Sequence, residues 1–405
     1  LNKQTAEVFA YLSTDERRDY WTYFQYHLPM LNFLMYQCDD HGLYGNIYNN
    51  ILQEKGLLLR TSNHIKQSIY DSGNKEDWQA YGRLLELRQK QLLQPQDKSL
   101  SAEMDQIDKL LTKKYATFSE FSTTQTTTWE TIANKLKADE IAIEFYNIPE
   151  ANWNGNEVET LPRYCAVTIK NGYDAPHIIP ICRKDDLEKL IDNDEIYDDA
   201  SAYKLIWKPL ETELSGTNNV FFAADGDLHR IAIEYLQMPD DKRMTDKYNI
   251  YRLSSTRVIA EPQRPTTAHN AVLYGGLKYD MTEEEIKEHS RSSRGIHASR
   301  SGNFSNFRYG VSYLPKTLKE VHDIDSLLTG KTGISVQMIT GTVGTEESIK
   351  ALAGKPIDIL HLATHGFYWA EDKAEERNYV SFLSNRDLLT MRQEDYALLR
   401  SGLFF

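Results

Sequence analysis

Ile357-Asp358-Ile359-Leu360-His361-Leu362-Ala363-Thr364-His365-Gly366-Phe367 decides the fold. An apolar strand follows Pro356 and runs straight into a His-Gly pair. In open α/β sheets, clefts form beyond the C-terminal ends of the strands. The order of residues therefore predicts an imidazole at such an edge. The glycine after it lets a backbone amide approach a bound group closely.

Working outward, residues 271–274 read as a strand ending at Gly275-Gly276. Thr317-x-x-Glu320 predicts a capped helix with Leu318, Val321, Ile324 and Leu328 facing inward. Residues 336–339 are a strand. Thr345 caps a helix that buries Ile349 and Leu352, and Gly354 with Pro356 stops it. The order β-α-β-α-β implies parallel strands with right-handed crossovers. Residues 396–405 begin another buried, strand-like segment. Between the first strand and the Thr317 helix, residues 281–310 are polar and carry Arg291, Arg294, Arg300 and Arg308, the pattern of a surface loop.

Three segments result: 1–136, 137–262 and 263–405. The middle one is α/β and strand-rich. It has strands at 141–145, 164–169, 178–182, 220–223 and 250–253, helices at 187–191 and 202–207, and a turn at Asp225-Gly226-Asp227. Pro262 and Pro265 mark the linker that follows. The first segment reads as helical. An aromatic-rich run at 16–35 contains Pro29, which should kink or interrupt it. A second run spans 48–69, and Asp71-Ser72-Gly73-Asn74 breaks it. Stripes through Trp78, Tyr81, Leu85 and Leu92, then Met104, Ile107, Leu111 and Tyr115, predict a helical hairpin around Pro95. Thr127-x-x-Glu130 is a capping-box pattern opening a short helix through Leu136. No tandem repeat of 20–50 residues is visible.

Composition fits a globular chain of 405 residues, with 40% hydrophobic residues, 25 Tyr and 6 Trp. A formal net charge of −13 argues against nonspecific binding to nucleic acid or an anionic membrane. No apolar run is long enough for a membrane span, and the N-terminus is not a signal peptide. Leu1 in place of Met suggests that the sequence starts inside a longer chain. Three cysteines in this length give no disulfide framework and fit a reducing, cytoplasmic setting. Cys165 and Cys182 lie in apolar strands and read as buried thiols. Cys38 sits beside Asp39 and Asp40, a poor setting for a nucleophile.

His365 has two readings. In one it is a strand-end histidine bonded to a nearby carbonyl. In the other it is a general base near neutral pH. Gly366 favours the second, because a bare amide there suits an oxyanion. His361 and His365 share the His-x-x-x-His spacing, yet on a strand they lie roughly 13 Å apart, and the Glu of His-Glu-x-x-His is missing. His361 is therefore expected to be a packed core histidine, with no metal. The Asp225-Gly226-Asp227 turn lacks the ligands of a calcium loop.

The chain resembles CHAT-domain proteins, a caspase-like cysteine peptidase family found behind helical TPR repeats. The resemblance rests on Gly56-Leu57-Leu58-Leu59 with Ile65-Lys66-Gln67-Ser68-Ile69, on Ala142-Ile143-Glu144-Phe145, and on Asp225-Gly226-Asp227-Leu228-His229-Arg230-Ile231. Leu314-Pro315 before the Glu320 helix and His361-Leu362-Ala363-Thr364-His365-Gly366 complete it. It implies an α/β caspase-like architecture, a pseudo-protease unit at 137–262 plus an incomplete protease unit at 263–405. An all-α helical region, the end of a TPR-like module, precedes them. It also implies an endopeptidase acting on protein substrates, with His365 as base and Gly366 holding the oxyanion. The nucleophilic Cys is then expected beyond Phe405 or on another chain, so that this stretch alone is inactive and its sheet keeps an apolar edge. Leu277 and Asp280 are expected near the substrate pocket, with Asp280 favouring a basic side chain. The 281–310 loop is expected to be a processing or gating element. The helical region is expected to receive a protein partner, and no cofactor, metal, nucleic acid or membrane is implied. The alternative is a catalytically inactive CHAT-fold scaffold for protein interaction.

Overall fold

Ser13 opens the first long helix, α1 (Thr14–Gln37). Its hydroxyl accepts from Glu16 N–H while the Glu16 carboxylate accepts from Ser13 N–H. This computed structural model describes residues 8–9, 11–38, 40–93, 97–115, 127–148, 150–154, 157–192, 196–261, 267–282, 285, 311–368 and 401–405. Of the kink or interruption expected at Pro29, the interruption does not occur, and α1 runs through it. One lost hydrogen bond and a ring clash cost about 3 kcal/mol, and the helix buries Trp21, Leu28 and Phe33 along its length. The single run expected at 48–69 is two helices, α2 (Tyr44–Glu54) and α3 (Leu57–Asp71). The break falls at Gly56, whose φ of 68° is left-handed. Arg60 reaches back to cap α2, donating to the carbonyls of Lys55 and Gln53. Then α4 (Lys75–Leu93) and α5 (Lys98–Tyr115) form the expected hairpin, closing over Leu84, Leu87 and Met104. Helix α6 (Trp129–Ala133) begins at Thr128, which makes no side-chain cap bond, so the Thr127 capping box does not form. The Trp129 N–H is instead satisfied by Asn49 Oδ1 at 2.8 Å.

The chain divides into two compact units, residues 1–91 with 97–262, and residues 92–96 with 263–405. In the first, β1 (Glu140–Asn147) is followed by a hairpin absent from the sequence reading, β2 (Glu150–Asn154) and β3 (Glu157–Leu161). After it come β4 (Arg163–Ile169), β5 (His177–Arg183), α7 (Lys184–Ile191), α8 (Ser201–Ile206), β6 (Asn219–Ala223), the single turn α9 (Met244–Lys247) and β7 (Asn249–Leu253). The sheet order is β5-β4-β1-β6-β7. β4 runs antiparallel to both β1 and β5, while β1, β6 and β7 are mutually parallel neighbours. Both faces of β1 are covered. Ile141, Ile143 and Phe145 pack with Leu187, Tyr203 and Trp207. Ala142 and Tyr146 share a core with Ile47, Tyr48, Ile51 and Ile132, so α2 and α6 lie against this sheet. That is why β1 reads as a continuous apolar run.

Glu144 is the exception in that run. It is 0% exposed, and its Oε2 lies 2.8 Å from Lys55 Nζ. Its Oε1 accepts from Ser255 Oγ, Thr256 N and Thr256 Oγ1. The Lys55 ammonium also donates to the carbonyls of Phe145, Ala223 and Ala224, at the C-terminal ends of β1 and β6. One cation from the end of α2 thus ties the helices to the open edge of the sheet.

The second unit carries β8 (Asn270–Leu277), α10 (Pro315–Thr332), β9 (Ser335–Gly341), α11 (Glu346–Lys350), β10 (Ile359–Leu362), β11 (Gly366–Tyr368) and β12 (Ser401–Leu403). Its sheet is β10-β8-β9, all parallel as expected. β11 and β12 form a separate antiparallel pair. Helix α10 covers one face through Leu318, Val321, Ile324 and Leu328. Leu352 with Phe404 and Phe405 pack on the other. Thr345 caps α11 as expected. Thr317 does not cap α10, which starts at Pro315. Its hydroxyl instead accepts from Gly276 N–H at 2.8 Å and donates to Leu314 O. Among the described residues β10 is an edge strand with Leu360 exposed, and Leu403 of the expected final buried segment is exposed as well. The 281–310 loop lies outside the described residues, apart from positions 281, 282 and 285. Among the described residues no helix is long and apolar enough to cross a membrane.

Two measurements check this packing. Lys55→Met leaves Glu144 buried and unpaired, and urea unfolding should show a loss of about 3–5 kcal/mol. The double variant Lys55→Met/Glu144→Gln should recover more than half of it, and no recovery would refute the clamp. In the second unit, a Cβ on Gly275 would meet Thr317 O at 2.5 Å and Val321 Cγ1 at 2.7 Å. Gly275→Ala should therefore cost about 1–3 kcal/mol. Gly330→Ala on α10, where a Cβ meets nothing within 4 Å, should cost nothing.

Candidate functional site

Parallel pairing of β10 with β8 runs from Ile359↔Ala271 to Leu362↔Tyr274, and Ala363 N–H extends it by donating to Tyr274 O at 2.8 Å. Thr364 and His365 therefore sit just past the C-terminal end of β10 and beside the last residues of β8, at the edge where the sequence reading put the imidazole. The backbone there is held from several sides. Phe404 N–H donates to His365 O at 2.9 Å, Thr364 Oγ1 donates to Phe404 O, and the Tyr279 hydroxyl bonds Thr364 Oγ1 at 2.9 Å.

The ring of His365 is fixed as well. Its Nε2 lies 2.7 Å from the carbonyl oxygen of Ser312, and Tyr279 packs against it edge-on, centroids 5.0 Å apart at 68°. A carbonyl can only accept, so Nε2 carries the hydrogen. In the neutral ring the lone pair then belongs to Nδ1. Tyr279 and Ser312, the two residues that hold the ring, line a cleft of about 580 Å³ with Gly276, Asp280, Tyr313 and Thr340.

Gly366 faces Leu403 in the β11–β12 pair. The Phe404-to-His365 bond makes His365/Phe404 a hydrogen-bonded pair. Antiparallel alternation makes Gly366/Leu403 the non-hydrogen-bonded one, so the Gly366 N–H turns away from β12. A Cβ on Gly366 would meet only Leu403 Cδ2 at 3.4 Å and Gly402 O at 3.5 Å, ordinary contacts. Packing among the described residues therefore does not require glycine at this position.

The remaining predicted residues separate. Asp280 is exposed and lines the cleft, but Leu277 is fully buried in the core of its unit. His361 is not a core histidine. Half-buried on the edge strand, it places Nε2 3.0 Å from Glu320 Oε1 of α10. An edge strand leaves room for a polar partner from the covering helix, which apolar flanks in the sequence do not reveal. Cys165 and Cys182 are buried as expected, and burial with Asp186 nearby pushes the Cys182 thiol up to about 12. Cys38 is exposed. All three cysteines precede residue 263. The sequence reading gave no role to Tyr279, Thr364 or Ser312. Tyr279 sat in the stretch suspected of lining the pocket, whereas Ser312 acts through its carbonyl, which any residue would supply.

No curated protein matches the chain. Residues 200–395, a span that includes β6 through β11 and the His365-Gly366 pair, match the family model for the CHAT domain, a family related to cysteine peptidases. The chain carries a CHAT-domain match over these residues.

Proposed function

We propose that the second unit carries the general-base half of a caspase-like cysteine endopeptidase site. The observation that carries this reading is the His365 ring, held by Ser312 O and Tyr279, two residues that line a cleft. With Nε2–H committed to Ser312, Nδ1 takes the proton of an incoming thiol. The thiolate attacks the substrate carbonyl carbon, and the Gly366 N–H stabilises the developing oxyanion. The imidazolium then protonates the leaving amine, and water hydrolyses the thioester. The thiol comes from a cysteine outside residues 263–405, which contain none. Asp280 on the cleft wall favours a basic substrate side chain. The helical region serves as the face for a regulatory protein partner.

A second reading, an inactive interaction scaffold, is supported by the same bond. A strand-end histidine with a purely structural role would also donate to a carbonyl such as Ser312 O.

The two readings part on a cleavage assay with full-length protein and a peptide library. His365→Ala should lower kcat/KM by roughly 10²–10⁴-fold. Gly366→Ala should keep the thermal midpoint while crowding the substrate, lowering turnover by roughly 10²-fold. Unchanged cleavage in His365→Ala would end the peptidase reading.

A further inference from the structure

The first unit repeats the placement of the His365 site with different chemistry. In each sheet the strand beside the central one, parallel to it, runs into an X-Gly pair. His365-Gly366 lies three residues past β10, and Asp225-Gly226 lies two residues past β6. The turn carrying Asp225 is fixed. Gly226 has a φ of 50°, a Cβ on it would collide with the Tyr164 hydroxyl, and that hydroxyl accepts from Asp227 N–H at 2.9 Å. A cleft of about 420 Å³ opens there, lined by Trp21, Glu54, Tyr146, Asp225, His229 and Ser254 among others. It lies at the C-terminal ends of three parallel strands, where open α/β sheets take ligands, and it is the size of a small-ligand pocket.

We propose that this cleft binds a basic group, a guanidinium or primary ammonium, between the carboxylates of Glu54 and Asp225 and against the indole of Trp21. Each carboxylate has one oxygen engaged. Glu54 Oε2 accepts from Tyr146 OH at 2.7 Å, and Asp225 Oδ2 accepts from Asn147 N–H at 3.0 Å. Among the described residues Glu54 Oε1 and Asp225 Oδ1 have no hydrogen-bond donor. Lys55 also borders the cleft, but Glu144 meets its charge at 2.8 Å and three backbone carbonyls take its three N–H donors. Burial and the nearby Lys55 lower the pKa of His229, which disfavours its charged form. Glu54 and Asp225 are left as the uncompensated charges, and an aromatic wall beside them suits a cation. Burial, reinforced by Asp225, pushes Glu54 up to about 7 against the opposing pull of Tyr146 and Lys55. A bound cation would restore its ionised form.

Isothermal titration of the whole protein at pH 8 tests this with agmatine, an acetyl-arginine peptide amide and the matching citrulline peptide. At least one arginine compound should bind saturably, and the neutral citrulline peptide should bind at least tenfold more weakly. Agmatine binding as well as the peptide identifies a free amine as the ligand, and peptide binding alone identifies a side chain of a protein partner. Asp225→Asn, which keeps an acceptor for Asn147, should weaken binding about tenfold. Glu54→Gln should do so at pH 8 and much less at pH 6, where the native carboxyl is mostly protonated. His365→Ala should bind as the native protein does, so failure here and failure of the peptidase reading are separate results. Equal affinity for citrulline, native affinity in both cleft variants, or no binding of any arginine compound would overturn the proposal. Circular dichroism confirms that the variants are folded.

Discussion

An ion pair buried under the central strand governs the first unit. Glu144 stands where both faces of β1 are apolar, and a carboxylate there without a partner would cost several kcal/mol. Lys55 is the partner, and its position follows from the helix break at Gly56. A left-handed residue ends α2 where its last side chain can lie over the ends of β1 and β6. The same ammonium satisfies three strand-end carbonyls that would otherwise face the cleft. Replacing the pair with apolar residues could match its stability, as is common for buried pairs. It could not also tie helix, sheet edge and the Ser255-Thr256 segment to one point.

Strand positions were legible because burial on two faces leaves a continuous apolar run, as at 141–145 and 271–274. The 150–161 hairpin escaped because its sequence, rich in Asn and Glu, carries no such run. Caps were read less well. Thr317 and Thr127 both satisfy the spacing of a capping box, but Pro315 starts its helix earlier, and Asn49 supplies the acceptor that Thr127 was expected to give. Pattern reports what a side chain can do locally, and a partner distant in sequence can take its place.

At the site, the imidazole and its glycine were visible because strand, His and Gly are contiguous. What holds the ring was not. Tyr279 is 86 residues and Ser312 53 residues away in sequence. Leu277 was misplaced for a related reason. It belongs to the end of β8, where an irregularity after Tyr274 puts its side chain in the same core as Val272 and Tyr274, while Asp280 reaches the cleft.

The His365–Ser312 bond alone cannot choose between catalyst and scaffold, since both use a ring fixed by a carbonyl. Gly366 is more discriminating. Glycine costs conformational entropy wherever it is not needed, roughly 0.5–1 kcal/mol against alanine in regular structure. At Gly275 and Gly276 the reason for glycine is plain, because α10 lies within 3 Å of where a Cβ would be. At Gly366 the described residues supply no such reason: the contacts are ordinary and no left-handed φ is involved. A scaffold therefore leaves Gly366 unexplained. Under the proposed peptidase reading, a substrate carbonyl approaching the amide that turns away from β12 would account for both the missing side chain and the direction of the N–H.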